Sequence, residues 1–177
     1  MSQEKWAVDF VHSSLGFNVR HMVISKVHGV FDKWSVDLAL DTNDLAAASV
    51  AVEVDVASID TKEAKRDGHL KSQDFFDVEK YPKLTFKSTK VDTLGDDKLK
   101  ITGDLTIHGA TKSVVLDAEY AGRAKDPWGG ERAGFSASTK INRKDFGLGW
   151  NQALETGGVL VGETVEIRID LELTLVK

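Results

Sequence analysis

The sequence predicts an all-β chain folded into one extended antiparallel β-barrel of about eight strands with a short helical insertion. Three observations carry this. Apolar residues recur at every second position through most of the chain, as on strands with one dry face and one wet face. Short clusters rich in Gly, Asp and Asn separate the alternating runs. The 177 residues contain no cysteine, so the fold rests on a core that a chain of this length can bury without disulfides.

In chain order, strands are expected at 5–12, 16–22, 27–40, 48–59, 84–93, 98–108, 112–124, 132–142 and 162–176. Trp6, Val8 and Phe10 share a face in the first, Phe17 and Val19 in the second, and Trp34, Val36, Leu38 and Leu40 in the third. Val50, Val52, Val54 and Val56 alternate in the fourth, and Leu84 and Phe86 begin the fifth. Leu99, Ile101, Leu105 and Ile107 follow, then Val114, Leu116, Ala118 and Tyr120, then Ala133, Phe135, Ala137 and Ile141. The longest stripe runs from Val165 through Ile167, Ile169, Leu171 and Leu173 to Leu175, with Glu166, Arg168, Asp170, Glu172 and Thr174 between.

Residues 41–44, 94–97 and 126–130 are turn-forming, and His108-Gly109 reads as a tight hairpin. Short connections give an up-and-down topology, and closure into a barrel removes sticky edges. One stretch, 61–76, has good helix formers and no alternation; it is read as a short helix and a turn inserted between strands. Asn142–Gly147 and the glycine-rich 147–162 form a second loop. No repeat or linker divides the chain, so residues 1–177 form one domain.

Strands of about 12 residues at about 3.3 Å each, tilted by about 40°, make a barrel about 30 Å tall. Such a lumen suits a thread-like apolar ligand, although an eight-stranded barrel filled by its own side chains satisfies the same alternation. Both readings stand at this point.

The formal net charge of −5 argues against nucleic acid, whose binders carry basic patches. No apolar run approaches the roughly 20 residues that span a bilayer. Met1-Ser-Gln-Glu-Lys-Trp6 lacks the basic start and apolar stretch of a signal peptide, so a soluble cytoplasmic protein is expected; an exported mature form is the alternative.

Motifs of catalysis fall away on inspection. Asp145-Phe-Gly147 lacks the glycine-rich loop and lysine of a kinase. Gly147-Leu-Gly149 has Gln152 where a dinucleotide fingerprint needs glycine. His12, His21, His28, His69 and His108 lack the spacing of a helical zinc pair and are expected to hydrogen-bond around turns and the rim. His12-Ser-Ser14 has no nucleophile elbow, and neighbours on a strand point oppositely. No catalytic residue, metal ligand or cofactor is therefore expected.

Two features have two readings. Arg66 or His69 binds a polar or anionic head group at the barrel mouth, or Arg66 and Asp67 pair and pin the insertion. Phe75-Phe76 packs beneath the insertion or belongs to a lid.

Several segments together resemble the YceI-like family of bacterial lipocalin-like proteins over nearly the whole chain. They are Asp9-Phe-Val-His-Ser13, Phe17-Asn-Val-Arg-His21, Gly29-Val-Phe31, Ser58-Ile-Asp-Thr61, Arg66-Asp-Gly-His-Leu70, Asp74-Phe-Phe-Asp77 and Tyr81-Pro-Lys-Leu-Thr-Phe86. Gly103-Asp-Leu-Thr-Ile-His-Gly109, Asn142-Arg-Lys-Asp-Phe-Gly147 and Val161-Gly-Glu-Thr-Val165 complete the set. The resemblance implies a lipocalin-like barrel with an elongated hydrophobic pore. It also implies a long-chain isoprenoid ligand, such as a polyprenyl pyrophosphate or an isoprenoid quinone, or another amphiphilic lipid, and a homodimer.

On that basis the expected lining is Phe17, Val19, Phe31, Trp34, Val36, Leu38, Val52, Val54, Phe86, Leu105 and Phe135, with Phe75 and Phe76 nearby. Arg20, His21, Arg66 and His69 are the head-group candidates. Burying a tail is worth about 0.8 kcal/mol per CH₂ against water. A membrane keeps the tail equally dry, so selectivity must come from lumen shape and head group. A carrier or store of such a lipid is the leading reading; an enzyme acting on the lipid and a ligand-free structural protein are the alternatives.

Overall fold

The computed structural model describes residues 4–22, 24–151 and 161–176. The nine expected runs become eleven strands: β1 (Trp6–Val8), β2 (Ser14–His21), β3 (Ser25–Phe31), β4 (Trp34–Ala39), β5 (Ser49–Asp55), β6 (Ile59–Asp60), β7 (Lys83–Gly95), β8 (Lys98–Ile107), β9 (Ala110–Lys125), β10 (Glu131–Asn142) and β11 (Val161–Leu175). They form one antiparallel sheet in the order β4-β5-β7-β8-β9-β10-β11-β2-β3-β6, with β1 also on β11. A bridge between Glu4 and Leu40 ties the segment before β1 to the end of β4, curling the sheet back on itself. The result is a lipocalin-like antiparallel barrel with one α-helix among the described residues, α1 (Ala64–Lys71).

The expected runs shorten or split where side chains and other segments compete with the ladder for backbone N–H groups. The first expected strand stops at Val8 because Asp9 accepts the Val11 N–H at 3.1 Å and starts a 3₁₀ turn over Phe10–His12. The fourth stops at Asp55, whose carboxylate accepts the Ala57 N–H at 3.2 Å; the chain re-enters the sheet as β6, opposite Val30 and Phe31. The run 27–40 is broken at Asp32-Lys33. There the Asp32 and Lys33 amides donate to the Ser58 carbonyl and Oγ at 3.2 and 3.0 Å, while Lys33 O accepts from Asp55 N at 2.9 Å. β3 therefore pairs with β2, and β4 with β5.

Elsewhere the alternation is realised as read. In β8, Leu99, Gly103, Leu105 and Ile107 are buried. His108 and Gly109 have φ of 55° and 76°, the left-handed pair of a two-residue hairpin. Gly103 has a packing duty. A Cβ there would stand 2.4 Å from Phe86 Cζ and 2.5 Å from the Lys87 carbonyl oxygen, and the second obstacle is backbone that no rotamer change can clear. Gly103→Ala is expected to cost about 1–3 kcal/mol as an overpacking change, measured as a lower midpoint in urea unfolding.

The barrel interior divides in two. At one end Trp6, Leu40, Ala133 and Leu173 form a solid core that Leu38 and Phe135 complete. The Tyr120 and Phe135 rings lie 4.9 Å apart there. Arg123 seals that end, donating to both Glu4 carboxylate oxygens at 2.7 and 3.0 Å and to Glu131, with its guanidinium 5.0 Å from the Trp6 ring centre. The opposite half is hollow.

Candidate functional site

The hollow half is a cavity of about 490 Å³, within the usual range for small-molecule sites. Its wall is built by strand parity. Leu15, Phe17 and Val19 of β2, Val52 and Val54 of β5, Leu84 and Phe86 of β7, and Leu105 and Ile107 of β8 face it. From the far wall come Leu116 of β9, Ala137 and Ile141 of β10, and Val165, Ile167 and Ile169 of β11. The insertion after β6 roofs it. α1 is capped by Glu63, whose carboxylate accepts the Arg66 N–H, and the following turn sets Phe75 and Phe76 over the lumen. The Phe76 ring meets Phe31 edge-on at 6.3 Å, and Phe31 lies 5.7 Å from Phe17.

All the expected lining residues reach this cavity except Trp34, Val36, Leu38 and Phe135. β4 contributes nothing to the lining, although Trp34 and Val36 lie opposite the lining residues Val54 and Val52. Trp34 turns its ring edge-on to Phe10 at 5.0 Å, Val36 is half-buried opposite Val52, and Leu38 joins the solid core. Phe135 has the parity of a lining residue but sits too deep, beside Tyr120 in the filled end.

The four head-group candidates Arg20, His21, Arg66 and His69 all belong to the cavity lining. The expected Arg66–Asp67 pairing is replaced by a shared anchor. Arg66 donates to Thr61 Oγ1 at 2.8 Å and to the Thr61 carbonyl at 2.7 Å, while Asp67 accepts from the Thr61 N–H at 2.9 Å and from its hydroxyl. Thr61, buried, is the pin of the insertion. His69 Nε2 lies 2.8 Å from Asp74 Oδ2, and its ring stands edge-on to Trp150 at 4.6 Å and to Phe75 at 5.1 Å.

The main residue that the sequence analysis missed is Arg143, 3% exposed and part of the cavity lining. Its Nε donates to the Gly162 carbonyl at 2.8 Å, Nη1 to the carbonyls of Trp150 at 2.9 Å and of Leu148, and Nη2 to that of Val161 at 3.3 Å. Burial lowers its pKa from the ordinary arginine value, against the pull of Glu163. Strand parity does not reach it: β10 ends at Asn142, and Arg143 opens the 3₁₀ turn that follows. Leu148 and Trp150, also in the lining, lie in a segment with no period to read. Of the loop expected at 147–162, residues 152–160 lie outside the described residues.

The charged side chains at the cavity are Arg20, Lys65, Arg66 and Arg143 against Glu63. In a chain of net charge −5, the cavity lining thus carries more basic than acidic side chains.

Outside the barrel, Asp9, His12 and Glu172 bring their ligand-type atoms within 4.8 Å of one another. Arg132 already occupies this cluster, its Nη1 2.8 Å from Asp9 and 2.6 Å from Glu172, so a cation would meet a resident positive charge. Ser13 turns away from His12, and its Oγ accepts the Glu172 N–H at 2.9 Å. The hydrogen bond to Asp9, then the Asp9 and Glu172 charges, raise the His12 pKa; the His12 hydrogen bond, then Arg132, hold Asp9 well below the carboxylate range. A histidine raised in the folded state lends stability below its unfolded pKa, and this fades as pH climbs through the folded value. NMR titration is expected to give His12 a pKa above the ordinary value of about 6.5, and Asp9→Asn to return it toward that value.

Comparisons with known proteins agree with this architecture. A UPF0312 protein of Vibrio cholerae is 46% identical over 137 residues, covering 77% of this chain and 72% of its own. The Campylobacter jejuni YCEI protein superposes with a TM-score of 0.76 at 34% identity, over 98% of this chain and 99% of that one. A polyisoprenoid binding domain from Saccharophagus degradans shares the fold, with a TM-score of 0.68 at 16% identity over 98% of this chain and 99% of its own. The family model for the YceI-like domain matches residues 6–173, and the chain belongs to the YceI-like family.

Proposed function

We propose that this protein binds and carries or stores a long-chain isoprenoid-type lipid, such as a polyprenyl pyrophosphate or an isoprenoid quinone. The observation that carries the reading is a cavity walled by apolar side chains, closed at one end by a solid core and open at the other among basic groups. The tail lies along the lumen, and its burial supplies affinity in proportion to apolar area. The head group stays at the mouth near Arg20, His21, Arg66 and His69. The name of the Saccharophagus degradans domain, which shares the fold, supports a polyisoprenoid guest, and the family resemblance leads us to propose a homodimer as well.

Organic extraction of the purified protein followed by mass spectrometry tests the reading, with one dominant long-chain lipid at near-stoichiometric yield as the expected result. An empty extract, together with no uptake of an added polyprenol, would defeat it.

A further inference from the structure

We infer that the turn between β2 and β3 docks the barrel mouth on a lipid bilayer bearing anionic headgroups. Ile24, in that turn, is 83% exposed and Met22 is 41% exposed. Both are large apolar side chains in water at the rim of the cavity, directly after the lining residues Arg20 and His21 and before Val27. Backbone pairing joins His21 to Val161 and to Ser25, which places Met22 and Ile24 at the end of the β2–β3 hairpin.

The charge around it fits an anionic surface. Arg20 and Lys26 face each other across the hairpin, and Lys65 and Arg66 line the adjoining cavity, against Glu63. The chain as a whole carries −5, so an anionic membrane repels most of the molecule and attracts this end. Juxtaposed basic groups and inserted apolar side chains are the two signals that together hold a peripheral protein on a bilayer. Trp128, 82% exposed, lacks this setting: it sits in the β9–β10 turn beside the filled end.

This placement rests on the reading that the cavity takes a lipid, and it supplies the route. With the mouth against the headgroups, a tail passes from bilayer to lumen without crossing water, which removes the cost of exposing each CH₂.

The test uses the full chain and the variant Met22→Asn/Ile24→Gln; asparagine suits position 22, where φ is 53°. Three quantities are measured for each protein: co-sedimentation with vesicles of phosphatidylcholine plus phosphatidylglycerol against phosphatidylcholine alone, binding of a soluble short-chain amphiphile without vesicles, and solution mass by light scattering. We expect the wild type to partition onto the mixed vesicles, less so with added salt, and the variant to partition about tenfold or more weakly, as loss of two buried apolar side chains requires. Amphiphile binding and mass stay unchanged.

Wild-type protein that binds the amphiphile but ignores mixed vesicles overturns the docking and leaves the lipid-binding reading intact. Protein that sediments with vesicles but binds no amphiphile defeats the lipid-binding reading alone. A variant that changes solution mass shows the turn to be a contact between copies of the chain, and overturns the inference.

Discussion

Affinity for a homologous series of linear alcohols is expected to rise about fourfold with each added CH₂, because each contributes about 0.8 kcal/mol, and then to level off. The plateau comes from the architecture. Below the cavity the interior is solid, first Leu99 and Ala118 with Ala137, then the Tyr120 and Phe135 rings, so a tail can descend only as far as Ala137. Ala137 both lines the cavity and belongs to the packed layer beneath, which makes it the floor. Ala137→Phe raises that floor. Tails long enough to touch it should lose about three methylenes of burial, about 2.4 kcal/mol or roughly sixtyfold in affinity, while shorter ones bind as before. Calorimetric titration below the micellar limit measures both effects. Affinity independent of chain length, or a plateau unmoved by the substitution, would mean that the lumen is not where the tail lies.

The same floor shows what alternation can and cannot say. Parity assigns a residue to the inner face, and nearly every inward assignment in β2, β5, β8, β10 and β11 holds. Depth along the barrel is another matter. Phe135 and Ala137 share a parity, yet one fills the core and the other bounds the cavity, because depth depends on register with strands far away in sequence. The break at Asp32-Lys33 escaped for the same reason: its amides bond to Ser58, a partner that no local pattern announces. By contrast, the stop after Val8 was legible in principle, since Asp9 two residues ahead of Val11 is the usual geometry of an aspartate turn. The mouth divides likewise. Arg66 and His69 stood out as a polar cluster, whereas Arg143 was overlooked because it lies just beyond β10, in a 3₁₀ turn that strand parity does not read. Its burial follows from carbonyls in two other segments that only the fold assembles.

That assembly makes Arg143 the position where one substitution is expected to cost most. Its guanidinium ties the turn after β10, which supplies the Leu148 and Trp150 carbonyls, to the first residues of β11, which supply those of Val161 and Gly162. Arg143→Met keeps much of the volume but takes this donor from the Gly162, Leu148 and Trp150 carbonyls, while that of Val161 keeps the Asn151 amide at 2.7 Å. Each buried group left unpaired costs about 1–3 kcal/mol; because those nearest the mouth regain water, the total should be about 3 kcal/mol rather than the full sum. For a domain of this length that is a fall in Tm of about 6–12 °C, read by circular dichroism. Arg143→Lys should recover only a small part, since an ammonium is a compact point donor and cannot span carbonyls arranged around a planar fork. The loss should also reach the cavity, because Leu148 and Trp150 line it and are held there through their own carbonyls. Tail affinity should fall together with stability in Arg143→Met, whereas Ala137→Phe shortens the preferred chain. A methionine variant with wild-type Tm would show that water already satisfies those carbonyls and that the arginine is dispensable to the mouth.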